Sequence, residues 1–192
     1  MIARKPLIVE AFENLVALPE NEGRKLELIN GEIVEEVPNR LHALIATLLG
    51  KIFGNYFDAH PIGWAFTEAR IKFPDDSLND FIPDFAVALA AKHDIQNDDL
   101  NEPFTITPEL VIEIQSPDQS EKFMSDKADV YLKYGARITI IVYPSFRAVE
   151  VRRPTSMRRY FEGESIDLSD LLPGLIIAVS DIFPQFGDTP HA

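Results

Sequence analysis

Two carboxylates and one ammonium stand where this 192-residue sequence otherwise reads as interior. Glu113 lies in "PELVIEIQSP", within a nearly continuous apolar run of Leu110, Val111, Ile112 and Ile114. A buried, unpaired carboxylate is costly, so Glu113 needs a cation, a metal, a donor network or water in a cleft. Strand alternation puts Gln115 on the same face, about 7 Å away, with Leu110, Ile112 and Ile114 on the other. Asp84 opens a second apolar run, "DFAVAL", just after Pro83. Proline cannot donate a ladder hydrogen bond, so it marks a strand start or a kink there. The third group is Lys127. On a helical wheel of residues 120–134, Met124, Lys127, Ala128 and Tyr131 form one stripe, and Lys122, Asp126, Asp129 and Lys133 fall on the solvated side. Acids on neighbouring strands can share Mg²⁺, which takes one or two carboxylates plus waters and phosphate oxygens. An inward ammonium facing them would steady developing negative charge, as phosphodiester hydrolysis requires.

These residues need elements to hold them. "LPENEGRKLELINGEIVEEVP" reads as a hairpin, with alternation in both arms and Asn30-Gly31 as the turn. The longest helical pattern follows. Leu41, Leu44, Ile45, Leu48, Leu49, Ile52, Phe53, Tyr56 and Phe57 keep helical spacing, and Asn39 is the expected N-cap. "WAFTEARIKF" reads as one strand and "FIPDFAVAL" as a second, more buried one. A polar loop over residues 91–108, holding at most a short helix, leads to "ELVIEIQS". A helix over residues 120–134 ends at Gly135. Strands at "RITIIVYP" and "AVEVRRP" follow, and a short C-terminal helix is expected near Val179 to Phe183. This order predicts an α/β or α+β fold, a mixed sheet flanked by helices, in a single domain over residues 1–192.

Composition narrows the options. The chain has no cysteine, which rules out disulfides and thiolate metal sites. No signal peptide or membrane-length apolar run is evident, so a cytoplasmic location is expected. A net charge of −13 argues against strong non-specific binding to nucleic acid.

"PD" at 83–84 followed by "E-x-Q" at 113–115 resembles the PD-(D/E)XK nuclease superfamily. More closely, the chain resembles the Uma-type family of restriction endonucleases. The likeness runs through "LPENEGRKLELINGEIVEE", the helix bearing His42, "IPDFAVAL", "LVIEIQSP", "DKADVYLKYGARITIIVYP" and "LLPGLIIAVSDIF". It implies a restriction-endonuclease-like core and assigns metal binding to Asp84 and Glu113, assisted by the Ile114 carbonyl. The superfamily's lysine slot, two residues after the second acid, holds Gln115 here. The lysine is replaced by Lys127 on the following helix, the residue the wheel selects independently. Many members carry an aspartate where this chain has Phe123, and Asp126 lies on the solvated side. The implied activity is Mg²⁺-dependent (or Mn²⁺-dependent) DNA cleavage by a homodimer, with Gln115 positioning water or substrate. A catalytically inactive interaction protein on the same scaffold is the alternative.

Other residues leave both readings open. His42 sits near the edge of the apolar stripe. His60, His93 and His191 lack metal-site spacing. Glu32 belongs to the "NGE" turn and is either solvated or close to the cleft. Arg147, Arg152, Arg153, Arg158 and Arg159 make the most basic stretch. They suit a DNA backbone or a charge-blunted sheet edge equally well.

Overall fold

The structure is a computed structural model that describes residues 5–37 and 39–185. Helix α1 (Val9–Val16) precedes a hairpin of β1 (Leu26–Ile29) and β2 (Glu32–Glu35), and the long helix α2 (Arg40–Ala59) follows. Next come β3 (Gly63–Thr67), β4 (Ile71–Lys72), β5 (Asp80–Phe81), β6 (Phe85–Leu89) and β7 (Leu110–Ile114). Helix α3 (Glu121–Lys133) leads to β8 (Ile138–Tyr143), β9 (Ala148–Arg153) and β10 (Ser156–Phe161). The last elements are β11 (Ser165–Asp167), β12 (Ile176–Ala178) and α4 (Val179–Ile182).

The main sheet has six strands in the order β10-β9-β8-β7-β6-β3. It is mixed: β7 and β8 run parallel, joined through α3, and its other pairs are antiparallel. Helices α2 and α4 pack on one face and α3 on the other. Ile112, Ile114, Ile138, Ile140 and Val142 pack with Ile45, Leu49, Phe53 and Tyr56 of α2. On the opposite face, Val111 clusters with Tyr131, and Ile141, Tyr143 and Ala148 with Met124 and Ala128, all on the side of α3. A second sheet, β2-β1-β5-β4, brings Ile29, Ile71, Phe73 and Phe81 against Tyr131. Helix α3 is therefore covered on two sides, which explains how a helix so rich in charge buries Lys127.

The expected hairpin, long helix, α3 and main strands are present. Asn39 caps α2 by accepting from the His42 amide at 3.0 Å. Three local readings change. Helix α1 was not anticipated. "WAFTEARIKF" is not one strand: it breaks at Glu68, whose φ is +52°, and its halves join different sheets. The buried face of α2 centres on His42, Ile45, Leu49, Phe53 and Tyr56, leaving Leu41 and Leu44 exposed. The apolar arc of α2 is wider than the surface the sheet can cover.

The β1–β2 turn has a testable backbone requirement. Asn30 and Gly31 both have positive φ, +52° and +79°, as a two-residue hairpin turn demands. A Cβ on Gly31 would come within 2.4 Å of the Pro6 Cβ. Gly31→Ala should therefore cost more than about 1 kcal/mol, from strained φ plus the clash. Urea unfolding will show it as a lower midpoint at unchanged slope. An unchanged midpoint would mean that this turn does not set the hairpin's position.

Candidate active site

Lys127 is buried (2% exposed) and salt-bridged. Its Nζ lies 2.9 Å from both Glu27 carboxylate oxygens and 2.9 Å from Glu113 Oε1. Glu27 comes from β1, Glu113 from β7 and Lys127 from α3, so three elements meet at one charge. The cluster is hydrogen-bonded at its edges. Tyr131 Oη donates to Glu113 Oε1 at 2.6 Å, and the Ile82 amide donates to Glu27 Oε1 at 2.6 Å. The Phe81 ring lies under the ammonium, 5.6 Å from centroid to Nζ.

Asp84 stands beside this group on the same face of the sheet. The β6–β7 register pairs Phe85 with Ile112, Ala86 with Val111 and Val87 with Leu110. One further step sets Asp84 opposite Glu113. With no proline N–H to continue the ladder, Asp84 Oδ2 accepts from the Ile114 amide at 2.7 Å. Asp84 is held from the other side by Lys25 Nζ at 2.6 Å from Oδ1 and by His42 Nε2 at 3.0 Å from Oδ2. Lys25 also lies 2.7 Å from Glu36 Oε2 and 3.6 Å from Glu68 Oε1. The Glu36 amide bonds the Lys25 carbonyl, extending the β1–β2 ladder to the open end of the hairpin.

The two acids are tuned apart. Burial raises Asp84, but the His42 imidazole and the Lys25 ammonium outweigh it and hold Asp84 down at about 2. Burial dominates at Glu113, pushing it up to about 8 despite Lys127. Glu27 is also raised, again chiefly by burial. Lys127 is raised because Glu113 and Glu27 overcome its own desolvation, so the ammonium stays charged. The result is an ionised acid next to a proton-retaining one, an arrangement that separates acid and base roles in catalytic sites.

Of the residues the sequence singles out, Glu113 and Lys127 are in direct contact, and Asp84 lies across the ladder from Glu113. Lys127 has no ion pair with Asp84 among the described residues. Gln115 turns away, donating to the Gln119 carbonyl at 2.8 Å, while Gln119 Oε1 accepts from the Ser116 amide. Sequence reasoning missed Lys25, Glu27 and Glu36, and it left His42 undecided. Glu32 is exposed at the turn. His60 stacks on Tyr56, and His93 lies 3.5 Å from Glu109, both away from the cluster. His191 falls outside the described residues. All five arginines of the basic stretch already face carboxylates, as in the pairs Arg147–Glu162, Arg152–Glu150, Arg153–Asp170, Arg158–Glu164 and Arg159–Glu121. They line the β9–β10 hairpin at the sheet's edge, which fits the charge-blunted edge better than a phosphate track.

A cleft of about 340 Å³, lined by His42, Thr67, Glu68 and Asp84 among others, opens onto Asp84. A larger one of about 750 Å³ starts from Glu68 and runs under the 91–108 loop. Its lining carries Asp94, Asp98, Asp99 and Glu102 against Arg70 and Lys92, a poor surface for a polyanion. Among the described residues, one group of His, Asp and Glu could hold an ion: Glu36, His42 and Asp84, whose donor atoms lie within 4.8 Å of one another. Glu36 Oε2 and His42 Nε2 are buried without an aligned hydrogen-bond partner. Together with Asp84 and Glu113 on adjacent strands, these oxygen-rich surroundings fit a divalent cation.

The profile of a family described as "Putative restriction endonuclease", Uma2, matches residues 10–180. The fold is similar to the crystal structure of a "putative nuclease belonging to DUF820" from Anabaena variabilis. That likeness has a TM-score of 0.77 at 25% sequence identity, covering 93% of this chain and 98% of the other. No curated protein matches the sequence. Among the described residues, no helix is long and apolar enough to cross a membrane.

Proposed function

This chain belongs to the Uma2 family, described as "Putative restriction endonuclease", and from that premise we propose that it is a divalent-metal-dependent DNA endonuclease. The observation that carries the reading is the buried Lys127 ammonium against Glu113, with Asp84 across the ladder on the same face. Asp84, Glu113 and the Ile114 carbonyl would hold the ion. Mg²⁺ or Mn²⁺ bound there supplies a water of lowered pKa and screens the phosphate charge. The chain's own groups do the rest. Asp84, ionised at neutral pH, gives the site its fixed negative charge. Lys127 orients the attacking water or steadies the negative charge that grows on the phosphoryl oxygens as the P–O bond breaks. Glu27 fixes Lys127 through both oxygens, and Tyr131 fixes Glu113. Gln115 ties down the turn before α3 through the Gln119 carbonyl, so any contact it makes with water or substrate would require it to leave that bond. Cutting both strands calls for two sites, hence a homodimer acting on cytoplasmic DNA.

Cleavage of supercoiled plasmid with Mg²⁺ or Mn²⁺ tests this. Wild type should nick it, and Asp84→Ala and Lys127→Ala should each lose roughly 10²–10³-fold, the effect of removing one electrostatic stabiliser. Equal activity in all three preparations would assign the cleavage to another site or a contaminant.

One observation favours a non-catalytic protein on this scaffold. Both proposed metal acids already have a lysine partner, Asp84 in Lys25 and Glu113 in Lys127, so neither needs an ion to be paired. Calorimetry with Mg²⁺ or Mn²⁺ in the presence of DNA separates the two. Absence of binding heat would support the inactive scaffold.

A further inference from the structure

We infer that Glu36, His42 and Asp84 form a cation seat of their own, for a first-row transition ion such as Mn²⁺ or Co²⁺, beside the Glu113–Lys127 pair. The inference goes beyond the cleavage reading, with which it shares only Asp84. His42 is 4% exposed, and its Nε2 faces the two acids without a well-aligned hydrogen bond to either. It lies 3.0 Å from Asp84 Oδ2 and 3.8 Å from Glu36 Oε1. Donors each about 2.1 Å from one ion stand roughly 3 Å apart in an octahedron and about 3.4 Å in a tetrahedron. The His42–Asp84 pair is thus spaced as ligands already, and all three donor groups lie within 4.8 Å of one another.

Lys25 explains why the two acids face the imidazole. Its ammonium holds Asp84 by Oδ1 and Glu36 by Oε2, turning the opposite oxygens, Oδ2 and Oε1, toward His42. An ion held by those two oxygens would leave Lys25 on the other two, with Oδ2 still accepting from the Ile114 amide at 2.7 Å. Glu68 stands at the rim, lining the cleft that opens onto His42 and Asp84. Its backbone is held at a φ of +52°, unusual for a glutamate. Glu36, Asp84 and Glu68 against Lys25 leave two uncompensated negative charges, which one divalent cation neutralises. The imidazole sets the preference. Nitrogen ligation suits transition ions, whereas Mg²⁺ is satisfied by oxygen and water.

The test uses the full chain, without DNA, loaded with Mn²⁺ for pulsed electron paramagnetic resonance and with Co²⁺ for visible absorption. Wild type should bind Mn²⁺ with nuclear coupling from one imidazole nitrogen. His42→Gln should abolish that coupling and weaken Co²⁺ binding at least about tenfold, since even residues behind a ligand cost that much. Glu113→Gln should keep both signals while losing cleavage. Mn²⁺ bound by wild type with no nitrogen coupling overturns the seat, whatever the variants do, and leaves the cleavage reading standing. Coupling that survives in His42→Gln assigns the nitrogen to another histidine and also overturns it. Failure of wild type to bind either ion at millimolar concentration overturns it too. Plasmid cleavage in Mg²⁺ then decides the nuclease reading on its own.

Discussion

Lys127→Met is expected to lower the unfolding free energy by about 3–5 kcal/mol, the usual cost of removing one member of a buried ion pair. The side chain is nearly isosteric, so packing against Phe81 changes little. What changes is charge. Glu27 and Glu113 are 1% exposed each and would face one another with only the Ile82 amide and Tyr131 hydroxyl as donors. Lys122→Met on the same helix is the control. Lys122 pairs with Asp126 one turn on, but its side chain is 81% exposed, so its loss should cost no more than roughly 0.5 kcal/mol. Adding Glu27→Gln to Lys127→Met should recover part of the loss, because it removes one of the two stranded acids. Urea midpoints at pH 7 measure all four proteins. A Lys127→Met protein within about 1 kcal/mol of wild type would mean the ammonium is not enclosed as described.

The contrast between Lys127 and Lys122 shows what the sequence can and cannot disclose. Lys127 was legible because a helix imposes its own period: one lysine in the stripe of Met124, Ala128 and Tyr131 has to be explained locally. Glu113 was legible for a similar reason, as a charge inside an apolar strand. Glu27 was not. In "KLELI" it reads as the wet side of a half-buried hairpin, with Leu26 and Leu28 as the dry side. Burial of both sides of β1 depends on α1, β5 and α3, and Glu27's partner is 100 positions away. Lys25 and Glu36 were hidden by the same logic, since charged residues at a hairpin's open end are ordinarily solvated. The one available hint was parity: Glu27 shares a strand face with Ile29, which is buried against Phe81 and Tyr131. His42 was left undecided for a narrower reason. An apolar arc spanning Leu41 to Ile45 does not say which part meets the sheet, and the structure centres contact on residue 42. The order of elements and the mixed sheet were readable because they follow from periodicity and turn residues. The break at Glu68 was not, because no glycine or proline marks it.

Glu113→Gln should separate stability from activity. The carboxyl is held up at about 8 in the folded protein by burial, against an ordinary value of about 4.5 in the unfolded chain. Between those values the folded state binds the extra proton, so wild-type stability should fall as pH rises from about 4.5 through about 8, and level off above. Glutamine resembles the protonated form and cannot titrate. At pH 6 the variant should unfold close to wild type, because Tyr131 retains an oxygen acceptor and Lys127 retains Glu27. By pH 9 wild type should have lost on the order of 2–3 kcal/mol that the variant keeps, so the variant becomes the more stable protein. Cleavage should move the other way, falling roughly 10²–10³-fold because the amide, unlike the carboxyl, cannot give up a proton to ligate a cation. Urea unfolding at pH 6 and 9, alongside plasmid nicking, reads both effects. Parallel stability curves for the two proteins would place the titrating proton elsewhere in the cluster. Retained cleavage would remove Glu113 from the chemistry and leave it as the anchor of Lys127.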